Sequence, residues 1–211
     1  MKAKSSGFTL LEIMIVIALL AVLIGIGAPS MGEFIRNSRI TGKANDLLAG
    51  LNVARTEAIK RHVPVSVCAV ADASLDTPEC DDTEDFSQWI AFVDDDGVPD
   101  DAVVDEGNGT FEPDSDEVLL VRSSGTVESI STLPSEDVAG YVQFGLDGFQ
   151  RRDGGLTAPT DLSILMCDDR GNKPISGASI SAARALFISR TGRSEVSRSV
   201  SRIDALQENC P

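Results

Sequence analysis

The sequence predicts an α+β protein in which one long N-terminal helix, membrane-spanning in its first half, packs on an antiparallel β-sheet domain. Three observations carry that expectation. Residues 8–28 form an apolar run whose one charge is Glu12. Ala44, Leu47, Leu48, Leu51, Ala54 and Ala58 then recur at steps of three and four, the period of one helix face. From Pro64 onward the apolar residues recur at every second position, in runs separated by Gly, Pro, Asn and Asp. A helix followed only by strands, in a chain of 211 residues, points to one domain plus an extra element.

Each element follows from its residues. At about 1.5 Å per residue, the run 8–28 reaches roughly 30 Å, the thickness of a bilayer core. Lys2 and Lys4 precede it and no acid does. Positive residues stay cytoplasmic, so the leader faces the cytoplasm and everything after residue 28 is exported. An ordinary secretory signal fits poorly, because the run is long and no small-x-small site follows until Gly25–Ala28. A plain anchor leaves Glu12 unexplained, since a carboxylate in the bilayer is costly and usually marks function. Pro29 removes one backbone donor and is expected to kink the helix. The amphipathic second half covers 29–61 and ends at His62 and the Val63-Pro64 pair. Arg36, Arg39, Lys43, Arg55 and Lys60 lie mostly off its apolar stripe, and His62 is placed to complement the helix dipole. The domain over 62–211 has strands expected at 64–70, 88–94, 117–122, 126–131, 140–145, 161–167, 184–189 and 194–198. Gly145-Leu146-Asp147-Gly148 reads as a hairpin connection, and Trp89 as a core residue of its strand.

Gly7-Phe8-Thr9-Leu10-Leu11-Glu12 resembles the type IV prepilin (class III) signal. The resemblance implies that residues 1–7 are a leader and that prepilin peptidase cuts between Gly7 and Phe8. It also implies N-methylation of Phe8 and pairing of Glu12 with the free amine of a neighbouring subunit. Pro29 matches the proline with which that family weakens its helix. Asn52–Arg61, Val65–Cys68, Trp89–Asp94, Cys167–Gly171 and Ser189–Arg193 are similar to blocks of the GspH/FimT branch of minor pilins and type II secretion pseudopilins. That branch implies a type IV pilin-like fold and a structural subunit of a type IV pilus or secretion pseudopilus, not an enzyme and without a cofactor. The implied partners are other pilins or pseudopilins of the same filament, the peptidase, and an inner-membrane assembly platform. The implied location is the bacterial inner membrane, single-pass with the C-terminal domain in the periplasm, and the pilus or pseudopilus itself.

Composition narrows the alternatives. Acidic residues number 33 against 18 basic ones, a net charge of −15. Counterion release from phosphate needs clustered Lys and Arg, so a nucleic-acid partner is disfavoured. DNA-binding members of the branch carry Gly-Arg-x-Arg, where this chain has Gly192-Arg193-Ser194-Glu195. Arg184, Arg190, Arg193, Arg198 and Arg202 form a local basic cluster, read as a solvated strand face that balances nearby acids. From Asp72 to Glu117 there are 18 acids and no Lys or Arg, a solvated side of the domain. Asp94-Asp95-Asp96-Gly97 resembles the start of a calcium loop, but the closing glutamate is displaced and Pro99 interrupts it, so no metal is expected. A single histidine leaves no material for a Ser-His-Asp triad. A membrane-anchored hydrolase using paired carboxylates lacks any visible pair in a pocket. Cys68, Cys80, Cys167 and Cys210 form no CxxC motif and read as two disulfides of an exported domain. Of the three connectivities, Cys68–Cys80 would staple an acidic loop and Cys167–Cys210 would tie down the C-terminal tail; Cys68 joined to Cys167 or Cys210 is the alternative.

Overall fold

The structure is a computed structural model. It describes residues 7–80, 85–94, 111, 119–125, 129–135, 137–138, 140–152, 156–157, 160–175, 179–206 and 210, with backbone alone at 26–30, 152 and 156–157. The chain divides into two compact units, residues 1–38 and 39–211. One helix, α1 (Leu10–Arg61), contributes to both.

In the first unit α1 begins where a cap starts it. The Glu12 amide donates to Thr9 Oγ1 at 3.2 Å, and the Ile13 amide donates to the Thr9 carbonyl at 3.2 Å. Thr9 is thus the N-cap and Glu12 the third helical residue, the spacing of a capping box. The apolar side chains from Leu10 to Ile24 are exposed around the helix.

In the second unit α1 turns one face inward. Ile40, Ala44, Leu47, Leu51, Ala54 and Ala58 are buried, at alternating steps of four and three. The helix stops at His62, which has φ 58° and donates its amide to the Ala58 carbonyl at 3.0 Å. This is the left-handed C-terminal cap that glycine usually supplies. His62 therefore ends the helix through its backbone, while its side chain is exposed. The basic residues of the last turn, Lys60 and Arg61, pair instead with Glu57 at 3.1 and 2.6 Å.

Ten strands follow: β1 (Val65–Ala69), β2 (Trp89–Val93), β3 (Leu119–Arg122), β4 (Ser131–Pro134), β5 (Tyr141–Phe144), β6 (Gln150–Arg152), β7 (Leu156–Thr157), β8 (Leu162–Cys167), β9 (Ile180–Ile188) and β10 (Ser194–Ser199). A short helix, α2 (Val200–Ile203), comes last. The strands form two antiparallel sheets, ordered β3-β2-β1-β5-β6-β7 and β10-β9-β8-β4. Alternation sends Val65, Val67 and Ala69 of β1 and Leu162, Ile164 and Met166 of β8 into one cluster with the α1 seam. The opposite faces are covered too. Cys68, Ile90 and Phe92 lie under Ala73 and Phe111, whose ring meets Phe92 edge-on at 5.2 Å. Leu165, Cys167, Ala183 and Ala185 lie under Ile203 of α2. Disulfides close both coverings: Cys68 is bonded to Cys80 with Cα atoms 5.6 Å apart, and Cys167 to Cys210 at 5.7 Å.

Five elements depart from the sequence reading. The fourth strand lies at Ser131–Pro134 rather than 126–131, because Thr132 and Leu133 pair with Met166 and Leu165, and residues 126–128 fall outside the described residues. Its Pro134 is tolerated because β4 is an edge strand. Strand β9 begins at Ile180, ahead of the expected 184, through small residues that carry little apolar signal. Strands β6 and β7 and helix α2 are too short or too polar to show a period.

Lys43 also departs from expectation. It is buried, and its ammonium donates to the carbonyls of Ser87 and of Gly125, the latter at 3.0 Å, which ties two loops to α1. Burial pushes its pKa below the ordinary 10.5, with Asp46 and Asp85 opposing the shift. In the window just below 10.5 the unfolded chain therefore binds more protons than the folded one, so stability from this residue rises with pH there. Lys43→Met is expected to flatten that rise. Removing the donor orphans two carbonyls, so it should also lower stability at neutral pH by about 1–3 kcal/mol. Denaturant melts of the detergent-solubilised chain across pH measure both effects.

Candidate assembly site

The residues singled out for processing and assembly all lie in the first unit. Gly7 and Phe8 precede α1 in non-helical chain, and the Phe8 side chain is 80% exposed. Glu12 stands in the first turn of α1, one turn beyond Phe8, where a carboxylate also complements the partial positive charge of the helix start. Position 29 is helical backbone within α1, and the Pro29 side chain lies outside the described residues. Phe8, Leu10, Leu11, Met14, Ile17, Leu20 and Leu23 are among the side chains left without cover. A contiguous apolar surface of that kind marks contact with lipid or with another protein. Among the described residues no helix is long and apolar enough to cross a membrane. Side chains are described up to Gly25 and again from Met31, whereas the apolar run of the sequence continues to Ala28.

In the second unit the structure brings together two blocks that sequence alone left separate. Arg55 of α1 donates from Nε to the Gly148 carbonyl and from Nη2 to the Thr191 carbonyl, each at 3.0 Å. It thereby pins the β5–β6 turn and the β9–β10 turn to the helix. Gly192 (φ +76°) packs so closely on the Gly148 carbonyl that a Cβ would overlap it. Asn52–Arg61 and Ser189–Arg193, far apart in the sequence, are thus packed together in this chain.

The arginine cluster does not form one solvated face. Arg184 is 1% exposed and points inward with Leu186 and Ile188. Its Nη1 donates to the carbonyls of Ser181, Ala182 and Ala183 at 3.2, 2.8 and 3.0 Å, and its Nη2 to Thr41 Oγ1 at 3.1 Å. Burial first, then the nearby Arg198 and Arg170, lower its pKa to about 10, with Asp168 opposing. Period-two alternation was the signal that could have placed it inside. Arg202 donates to Glu195 at 2.6 Å and lies over the Phe187 ring at 4.2 Å, while Arg193 sits 3.5 Å from Glu195. These contacts, Arg202 foremost, hold the Glu195 carboxyl below its usual range. The acid in the Gly192–Glu195 segment therefore engages two cations that a phosphate would need. Arg190 and Arg198 are exposed.

Asp94 is buried and accepts hydrogen bonds from Ser66 Oγ and from Gln143 Nε2, the latter at 3.0 Å. These two contacts tie its carboxylate to neighbouring strands β1 and β5. Asp95, Asp96 and the rest of the proposed calcium segment lie outside the described residues. Among the described residues no three His, Cys, Asp or Glu side chains converge to hold a metal.

Comparisons with known proteins bear on the whole chain. The family model described as type II transport protein GspH matches residues 43–192, and the prokaryotic N-terminal methylation motif matches residues 2–28. A search of curated proteins gives no match. Among solved structures the chain is similar to the type IV minor pilin FimU of Pseudomonas aeruginosa. The match has 17% identity and a TM-score of 0.50, and it covers 84% of this chain and 99% of that one. A second crystal form of FimU gives 17% identity, a TM-score of 0.47, and coverage of 81% and 99%. At that identity the first likeness speaks for the fold alone: a long N-terminal helix followed by an antiparallel β domain. Matched over most of its β domain behind an N-terminal methylation motif, the chain belongs to the GspH family of type II transport proteins.

Proposed function

We propose that this GspH-family chain works as a minor pilin or pseudopilin that is cut between Gly7 and Phe8, methylated on the Phe8 nitrogen and assembled through α1 into a filament. The observation that carries the reading is the methylation motif over residues 2–28, with Gly7-Phe8 standing directly before the start of α1. Before assembly, residues 8–28 hold the chain in the inner membrane in a single pass, with residues 62–211 in the periplasm. The membrane peptidase and an assembly platform then deliver it to other pilins. In the filament Glu12 pairs with the methylated amine of a neighbouring subunit. A carboxylate removed from water is tolerable only when such a partner compensates it. A filament of either the pilus or the secretion class fits this scheme, since both would use the same apolar helix surface.

Intact mass of the membrane-extracted protein is expected to correspond to loss of residues 1–7 and gain of one methyl group. Gly7→Val places a branched side chain at the cut and should leave the precursor uncleaved; normal trimming of that variant contradicts the processing reading. Glu12→Ala should be trimmed and inserted normally yet be depleted from co-assembled filaments. Incorporation at the wild-type level would rule out the charge pairing.

A further inference from the structure

We infer that Thr9 is a positioning residue for leader removal: as the N-cap of α1 it keeps the Gly7–Phe8 peptide bond out of the helix, where a peptidase can take hold of it. The inference rests on the cleavage reading above and deepens it. Hydrolysis adds one water across the Gly7–Phe8 amide, leaving a carboxylate on Gly7 and an amine on Phe8. That chemistry needs a carbonyl and an amide free of the helical ladder, and proteolytic nicking concentrates in chain of that kind.

The structure fixes the helix boundary with two bonds, both accepted by Thr9. Its hydroxyl accepts the Glu12 amide and its carbonyl accepts the Ile13 amide, so Leu10 is the first helical residue and Gly7–Thr9 stay outside. Nothing in the sequence immediately upstream forbids an earlier start. Ser5 and Ser6 are themselves cap-forming residue types. A helix capped at Ser6 would take Gly7 and Phe8 as its first two residues and draw the scissile bond into the first turn. Glycine disfavours that register modestly. Thr9 decides against it by satisfying the Glu12 amide where it stands.

The test is the rate of cleavage of full-length variants in membranes containing the peptidase, followed by intact mass. Amide hydrogen exchange at Glu12 is read in parallel. Thr9→Ala and Thr9→Val lose the acceptor and should be cut more slowly by about 2- to 30-fold, the range that loss of an N-cap corresponds to. Their Glu12 amide should exchange faster. Thr9→Ser, Thr9→Asn and Thr9→Asp keep an acceptor and should stay near the wild-type rate. Adding Ser5→Ala and Ser6→Ala to Thr9→Ala removes the competing caps and should restore part of the rate. The inference is overturned if Thr9→Val is cut as fast as wild type, which would make the cap irrelevant. It is equally overturned if Asn and Asp are as slow as Ala, which would mean that the enzyme reads the threonine itself. A wild-type chain that is never cut at Gly7–Phe8 instead removes the processing reading on which this one stands.

Discussion

The second unit depends on one seam of α1, and that seam depends on a missing side chain. Ile40, Ala44, Leu47, Leu51, Ala54 and Ala58 meet residues of both sheets in a single cluster. Between Leu47 and Leu51 the Trp89 indole lies directly on Gly50, so that a Cβ at position 50 would overlap its ring. A helix-interior glycine costs about 1 kcal/mol relative to alanine. The chain accepts that cost because it admits the largest side chain of the core to full burial. Trp89 is held on its strand from the other side as well. The Trp89 amide donates to Ser123 Oγ at 3.2 Å, and the Ser123 amide donates to the Trp89 carbonyl at 2.8 Å. The helix, β2 and the loop after β3 thus meet at one residue.

Around the seam, buried and half-buried cations bind backbone oxygen. Lys43 holds the carbonyls of Ser87 and Gly125, Arg55 those of Gly148 and Thr191, and Arg184 those of Ser181, Ala182 and Ala183. Loop and turn carbonyls have no ladder partner of their own, and leaving them unpaired inside the protein is costly. Lys43 and Arg55 reach from α1 to satisfy such carbonyls and fix their loops to the helix at the same time, whereas Arg184 serves carbonyls of its own strand, β9.

Much of this was legible in the sequence because the signals are periodic. The α1 stripe and strands β1, β2, β5 and β8 show apolar spacing strong enough to place them. The four cysteines sit where chain must be fastened over a sheet. What escaped was aperiodic or depended on distant residues. Gly50 carries no signal of its own role in the sequence, since nothing local says that Trp89 covers it. Lys43 read as a surface cation because its partners are carbonyls far along the chain, and Arg184 because its charge outweighed the period-two position that places it inside. His62 read as a charge for the helix dipole, whereas the structure uses its left-handed backbone. At the N-terminus the methylation motif was plain, and the role of Thr9 as a cap needed the observed start of α1.

The contact between Gly50 and Trp89 can be tested most directly by a double-mutant cycle on the stability of the full chain. The account predicts that Gly50→Ala in the wild-type background lowers stability by about 1–3 kcal/mol, the range for forcing extra volume into a packed core. In a Trp89→Leu background the indole is gone and the same substitution should be neutral or stabilising, by up to about 1 kcal/mol from helix propensity. Equal effects of Gly50→Ala in the two backgrounds would contradict the claim that the helix seam is built around that contact.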